Sequence, residues 1–211
     1  MIIKICGIKT LEIAQVSVET GADMLGFNFY PPSPRFITPE KCTEILSALI
    51  PGHSSLVTVG IFVNQNLQQI QEIMETCQLD LAQLAGDETP DDLAALDGKA
   101  FKAVRPRSFM EGEELLGRFG RLTAPAILVD AHIKGAYGGT GKTGDWALAH
   151  QLAGQAPILL AGGLNPENVA AAVRAVNPWG VDVASGVESS PGVKDPLKIS
   201  AFISAARSAV R

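Results

Sequence analysis

Short apolar runs recur along the chain at Ile2–Cys6, Met24–Phe29, Leu56–Phe62, Leu81–Leu84, Ala100–Val104, Ala126–Val129, Ile158–Ala161 and Val181–Ala184. Several are continuous rather than alternating, the pattern of parallel strands covered on both faces. The segments between them carry apolar residues at helical spacing. Leu11, Ala14 and Val18 form one stripe, Ile45 and Leu49 another. Leu67, Ile70, Ile73 and Met74 make a third, and Val169, Ala172, Val173 and Val176 a fourth. A last helix is predicted over Pro196–Val210, with Leu197, Ile199, Phe202, Ile203 and Ala206 as its apolar positions. Thr38-Pro39-Glu40, Thr89-Pro90-Asp91 and Asn165-Pro166-Glu167 each set a capping side chain before a proline and an acid, so each predicts a helix start.

Eight strands and about eight helices thus alternate, which implies a parallel sheet with right-handed crossovers. Eight units favour a closed (β/α)₈ TIM barrel, and 211 residues is near the lower end of its size range. An open doubly wound sheet is the alternative, because the period alone does not show closure. No linker, charge run or low-complexity tract interrupts the chain, so residues 1–211 read as one domain.

Composition narrows the function classes. The apolar share of 46% with only 18% charged residues is that of a folded chain, not a disordered one. A net charge of −5 gives no electrostatic footprint for nucleic acid. No run approaches the length of a membrane span, and Met1-Ile2-Ile3-Lys4 turns polar too soon for a signal peptide. Cys6, Cys42 and Cys77 are odd in number and widely spaced, so they read as reduced thiols of a cytoplasmic protein rather than as a disulfide frame or zinc site.

In a barrel the chemistry sits where strands run into loops. After the seventh strand, Gly162-Gly163 let the backbone approach a ligand just ahead of a predicted helix, an arrangement suited to phosphate. Ser185-Gly186 follow the eighth strand and offer a hydroxyl and another glycine. Each pair also reads as a plain tight turn; together they favour phosphate. Gly139-Thr140-Gly141-Lys142-Thr143-Gly144 matches GxGxxG literally, but the strand before it ends near Asp130, too far away for a dinucleotide fingerprint. A Walker A reading fails too, since its first glycine would be Ala136. What remains is a glycine loop after strand six, with backbone donors and Lys142, able to close over an anion or to serve as a plain connection.

Cys6 ends strand one and Asp130 ends strand six, which makes both candidates for proton transfer; an inert buried thiol and a loop-capping carboxylate are the alternatives. Asp182 lies inside strand eight, beside strand one in a closed barrel, where it can bind ligand hydroxyls or orient neighbours. Arg35, held in Pro31-Pro32-Ser33-Pro34-Arg35, is either a surface ion-pair partner or a fork for a substrate carboxylate. His53 and His150 read as surface residues, and His132 stays open through its closeness to Asp130.

Five segments resemble the phosphoribosylanthranilate isomerase family. They are Lys4-Ile5-Cys6-Gly7-Ile8-Lys9-Thr10, Gly26 through Phe36, Gly138 through Trp146, Leu160 through Val169, and Gly180 through Glu188. They follow the family's order and spacing from residue 2 to about 203. The resemblance implies a (β/α)₈ barrel that converts N-(5-phosphoribosyl)anthranilate to its aminoketose in tryptophan biosynthesis. It further implies an Amadori rearrangement of a small phosphosugar in a monomer or homodimer, with no metal, organic cofactor, nucleic acid or membrane. By match, Cys6 is the general base and Asp130 the general acid. Arg35 holds the anthranilate carboxylate, with Gln83 and Asp182 as further substrate contacts. Gly139, Thr140, Gly141, Gly162, Gly163, Ser185 and Gly186 take the phosphate. One departure stands out: the family carries Gln-Leu-His-Gly-Asp-Glu after strand four, whereas this chain has Gln83-Leu84-Ala85-Gly86-Asp87-Glu88.

Overall fold

A computed structural model describes residues 1–49, 55–131 and 145–209. Eight parallel strands close into a barrel in sequential order: β1 Ile2–Cys6, β2 Met24–Asn28, β3 Val57–Phe62, β4 Leu81–Leu84, β5 Ala100–Val104, β6 Ile127–Asp130, β7 Leu159–Ala161 and β8 Gly180–Val183. Closure is made where β1 pairs with β8, Lys4 opposite Asp182. That settles the choice between barrel and open sheet, which the α/β period could not. The helices are α1 Leu11–Glu19, α2 Pro39–Leu49, α3 Leu67–Thr76, α4 Pro90–Ala94, α5 Phe109–Phe119, α6 Trp146–Ala153, α7 Val169–Val176 and α8 Pro196–Ser208. Among the described residues, no helix is long and apolar enough to cross a membrane.

The pleat sorts the strand residues into two cores. Ile3 and Ile5 of β1, Leu25 and Phe27 of β2, and Val181 and Val183 of β8 point outward and pack under the helices. Met24, Val59, Phe101, Leu128, Leu159 and Ala161 point inward and fill the barrel. Burying each large apolar side chain is worth roughly 1.5–3 kcal/mol, so both layers contribute to stability. The inner layer lies toward the N-terminal half of the strands. Further along, the inward positions turn polar at Lys4, Cys6, Gln83 and Asp182, and the barrel opens into its functional end.

Two sequence expectations are corrected. Asn165 caps as read, but one turn ahead of the regular helix: its carboxamide oxygen accepts from the Glu167 and Asn168 N–H groups and its carbonyl from Val169 N–H, and α7 itself starts only at Val169. Beyond β8, the chain makes a short 3₁₀ turn at Ser185–Val187 and an antiparallel hairpin, β9 Glu188–Ser190 and β10 Val193–Lys194, which hydrophobic periodicity did not reveal. The other two caps behave as read, and Thr89 forms a reciprocal capping box with Asp92.

Candidate active site

A cavity of about 750 Å³ opens at the C-terminal ends of the strands. Cys6, Arg35, Gln83, Asp130, Gly162, Gly163, Asp182 and Ser185 all line it, with Ile61 of β3 and Arg105 after β5, so all eight βα units converge on one space. Gly186 sits in the 3₁₀ turn beside Ser185. Gly139, Thr140, Gly141, Lys142, His53 and His132 lie outside the described residues. His150 is exposed on α6, turned to the Val176 carbonyl and away from the cavity.

Cys6 closes β1 and is buried, with two lysines nearby. Burial pushes its thiol above the ordinary cysteine value; the Lys4 and Lys194 cations pull the other way and Asp182 adds to the rise. Lys4, two residues earlier on the same strand face, is completely enclosed. Its Nζ donates to Asp182 Oδ1 at 2.7 Å and to Gln83 Oε1 at 2.9 Å. Asp182 and Gln83 therefore reach the cavity as parts of one hydrogen-bonded row across β8, β1 and β4.

Asp130 ends β6 with one oxygen accepting from Arg105 Nε at 2.8 Å. Arg105 follows β5 and its side chain is mostly exposed. Arg35 comes from the loop after β2, which is tied down by its prolines and by hydrogen bonds from Tyr30 N–H to the Asn28 side chain, Arg35 N–H to Ser33 Oγ and Ile37 N–H to the Asn28 carbonyl. The Arg35 guanidinium grips Glu188 with both Nε and Nη2, at 2.7 and 2.8 Å. Arg35 is thus an ion-pair partner that also lines the cavity.

The two glycine loops meet. Gly162 and Gly163 both adopt positive φ, 97° and 66°. Asn168 Nδ2 holds the Gly163 carbonyl at 2.9 Å. Gly186 packs so closely on the Leu164 carbonyl that a Cβ there would overlap it. After β4, Ala85 is open to the cavity beside Gln83. Its loop is clamped from below by buried Lys102, whose ammonium contacts Glu88 and the Gly86 carbonyl. Among the described residues, no group of three or more His, Cys, Asp or Glu side chains is arranged to hold a metal ion.

Sequence reasoning missed Lys4, Glu188, Lys194 and Arg105. Lys4 had a signal, since a lysine inside an otherwise apolar strand, in step with Cys6, must face the barrel interior. Glu188 and Lys194 had one too: Pro191-Gly192 marks a tight turn between them.

The arrangement has known counterparts. Residues 3–205 match the family model of N-(5'-phosphoribosyl)anthranilate isomerase. The isomerase of that name from Geobacter metallireducens is 44% identical over 205 residues, covering 97% of this chain and 98% of its own. The crystal structure of phosphoribosyl anthranilate isomerase from Thermotoga maritima superposes with a TM-score of 0.86 at 40% identity, covering 99% of this chain and all of that one. A crystal structure of the isomerase in complex with reduced 1-(o-carboxyphenylamino)-1-deoxyribulose 5-phosphate superposes with a TM-score of 0.84 at 37% identity, with 99% and 100% of the two chains covered.

Proposed function

The chain belongs to the N-(5'-phosphoribosyl)anthranilate isomerase family, and from that premise we propose that Cys6 and Asp130 are its base and acid, working across one cavity on a substrate held by Arg35 and the glycine loops. The protein is an isomerase of tryptophan biosynthesis: it converts N-(5-phosphoribosyl)anthranilate to 1-(2-carboxyphenylamino)-1-deoxyribulose 5-phosphate. The observation that carries the residue assignment is the convergence of Cys6, Asp130, Arg35 and both glycine loops on the same space.

The reaction needs one acid and one base, and no net redox change. Asp130 gives its proton to the furanose ring oxygen. The C1–O bond breaks and the nitrogen lone pair forms the C1=N iminium. Cys6, as thiolate, takes the proton from C2; that electron pair forms C1=C2 and returns the nitrogen pair. The enolamine then gains a proton at C1 and loses one from its C2 hydroxyl, both exchanged with solvent, giving the ketone; the Cys6 thiol releases its proton and Asp130 takes one up, which restores both groups.

The order matters for Cys6. Its buried thiol resists ionisation, and the iminium cation is what offsets this: it acidifies C2–H and favours a thiolate beside it. Lys4 assists from inside the barrel.

Arg35 receives the anthranilate carboxylate, while Gly162, Gly163, Ser185 and Gly186, with Gly139, Thr140 and Gly141, take the phosphate. Gln83 and Asp182 contact the substrate between these ends, each oriented by Lys4. Residues 1–211 act as one barrel domain that works as a monomer or as each half of a homodimer. The three free thiols fit a cytoplasmic location. The direct test is conversion of N-(5-phosphoribosyl)anthranilate to the aminoketose by the purified protein. Absence of turnover would overturn the reading.

A further inference from the structure

We propose that Glu188 is a positioning residue, held by the β9–β10 hairpin, which turns the Arg35 guanidinium so that only its outer edge faces the substrate carboxylate. The proposal rests on the reading of Arg35 as the carboxylate's receptor, and adds what sets that receptor's selectivity.

Hydrogen-bond accounting carries the argument. A carboxylate offers about four lone-pair positions. Glu188 Oε1 accepts from Arg35 Nε at 2.7 Å and Lys194 Nζ at 2.9 Å; Oε2 accepts from Arg35 Nη2 at 2.8 Å and Gly192 N–H at 3.2 Å. Every position is filled, so Glu188 has no capacity left to act as a base or to hold substrate. Its ionised form is secure: burial pushes its carboxyl up, but Arg35 and Lys194 outweigh that and hold it below the ordinary glutamate value.

The supports of Glu188 are themselves fixed. Lys194 Nζ also donates to the Ala184 carbonyl at 2.7 Å, and Lys198 Nζ of α8 donates to the Glu188 carbonyl at 2.8 Å. Gly192 turns the hairpin at φ 80°, and a Cβ there would stand 2.2 Å from the Pro34 carbonyl oxygen. The hairpin tip therefore packs directly on the loop that carries Arg35. On the other side, Gly7, at φ 84°, lets the Arg35 stem cross it; a Cβ would stand 2.8 Å from Arg35 Cδ.

For Arg35, Nε and one Nη2 proton are engaged by Glu188. The parallel N–H pair on the Nη1/Nη2 edge remains, a geometry that matches a second carboxylate bidentately. Charge points the same way. Arg35, Lys194 and Glu188 together leave one positive charge at the cavity wall, the complement of one carboxylate.

The test compares N-(5-phosphoribosyl)anthranilate with its carboxylate-free analogue N-(5-phosphoribosyl)aniline, in wild type, Glu188→Gln, Glu188→Asp, Arg35→Ala and the Arg35→Ala/Glu188→Gln double variant. Folding of each is checked by circular dichroism. Glu188→Gln is expected to raise KM for the anthranilate substrate about tenfold while kcat changes less than about threefold, and to leave the aniline substrate's kcat/KM unchanged. Glu188→Asp, which keeps the charge but shortens the reach, should lie between. In the Arg35→Ala background, Glu188→Gln should add nothing. Equal losses on both substrates, or a further loss in the double variant, would overturn the proposal by showing a general structural role. A wild type that treats the two substrates alike would overturn instead the carboxylate role of Arg35, and this proposal with it. If Glu188→Gln does not fold, the Glu188→Asp comparison decides.

Discussion

Lys4 and Asp182 meet inside the barrel, Nζ to Oδ1 at 2.7 Å, from the strands whose pairing closes it. The lysine is wholly enclosed, and the same ammonium reaches Gln83. Burial alone would lower its pKa, but Asp182 and then the nearby Cys6 outweigh burial and keep it charged. An ion pair that costs desolvation is thus retained where the base must ionise.

Removing Lys4 should tell on both counts. Lys4→Met leaves Asp182 without its cation in a buried setting, and is expected to cost about 3–5 kcal/mol in denaturant unfolding. It also removes a charge that favours the Cys6 thiolate, so the thiol's pKa rises further and its alkylation by iodoacetamide shifts to higher pH. An unchanged alkylation profile would exclude Lys4 from the electrostatics of Cys6.

Arg35→Ala should act mainly on binding. KM is expected to rise tenfold or more, with kcat changed by only a few-fold, because the carboxylate grip is the same in ground and transition states. Steady-state kinetics decide; a fall confined to kcat would contradict the assignment.

The ion pairs of Glu188 should appear in acid. Its folded pKa lies below the unfolded value, so the stability it contributes is present above that unfolded value and is lost as pH falls through the folded one. Between about pH 5 and pH 3 the wild-type Tm should therefore fall more steeply than that of Glu188→Gln. Parallel melting curves would show that the pairs do not stabilise the fold.

Ala85 gives a prediction of small effect. A methyl group transfers no proton, and Cys6 and Asp130 already fill both proton-transfer roles. Ala85→His is expected to change kcat/KM by about tenfold or less, the value of one positioning hydrogen bond of ~0.5–1.5 kcal/mol. A gain of several orders of magnitude would refute the two-residue mechanism.

The barrel was legible because its strands are buried on both faces and so stand out as apolar runs. Every one of the eight lies where those runs placed it, within a residue or so. The hairpin was not legible because β9 and β10 are three and two residues long and half exposed, which leaves no period to read. Cys6, Asp130 and Arg35 could be found because each ends a strand or sits in a proline-stiffened loop. Glu188 had only the turn signal of Pro191-Gly192: its importance lies in an interaction with Arg35, 153 residues away, and only the closed barrel brings β8 round to β1 and β2.

The assignment of acid and base is the centre of the account, and one comparison tests it most directly: single-turnover and steady-state kcat for wild type, Cys6→Ala and Asp130→Asn on N-(5-phosphoribosyl)anthranilate. Asp130→Asn is isosteric and Cys6→Ala removes a single sulfur at the cavity wall, so both should leave the fold intact. Each is predicted to lower kcat by about 10²–10⁴-fold with KM little changed. Near-wild-type kcat in either variant would contradict it.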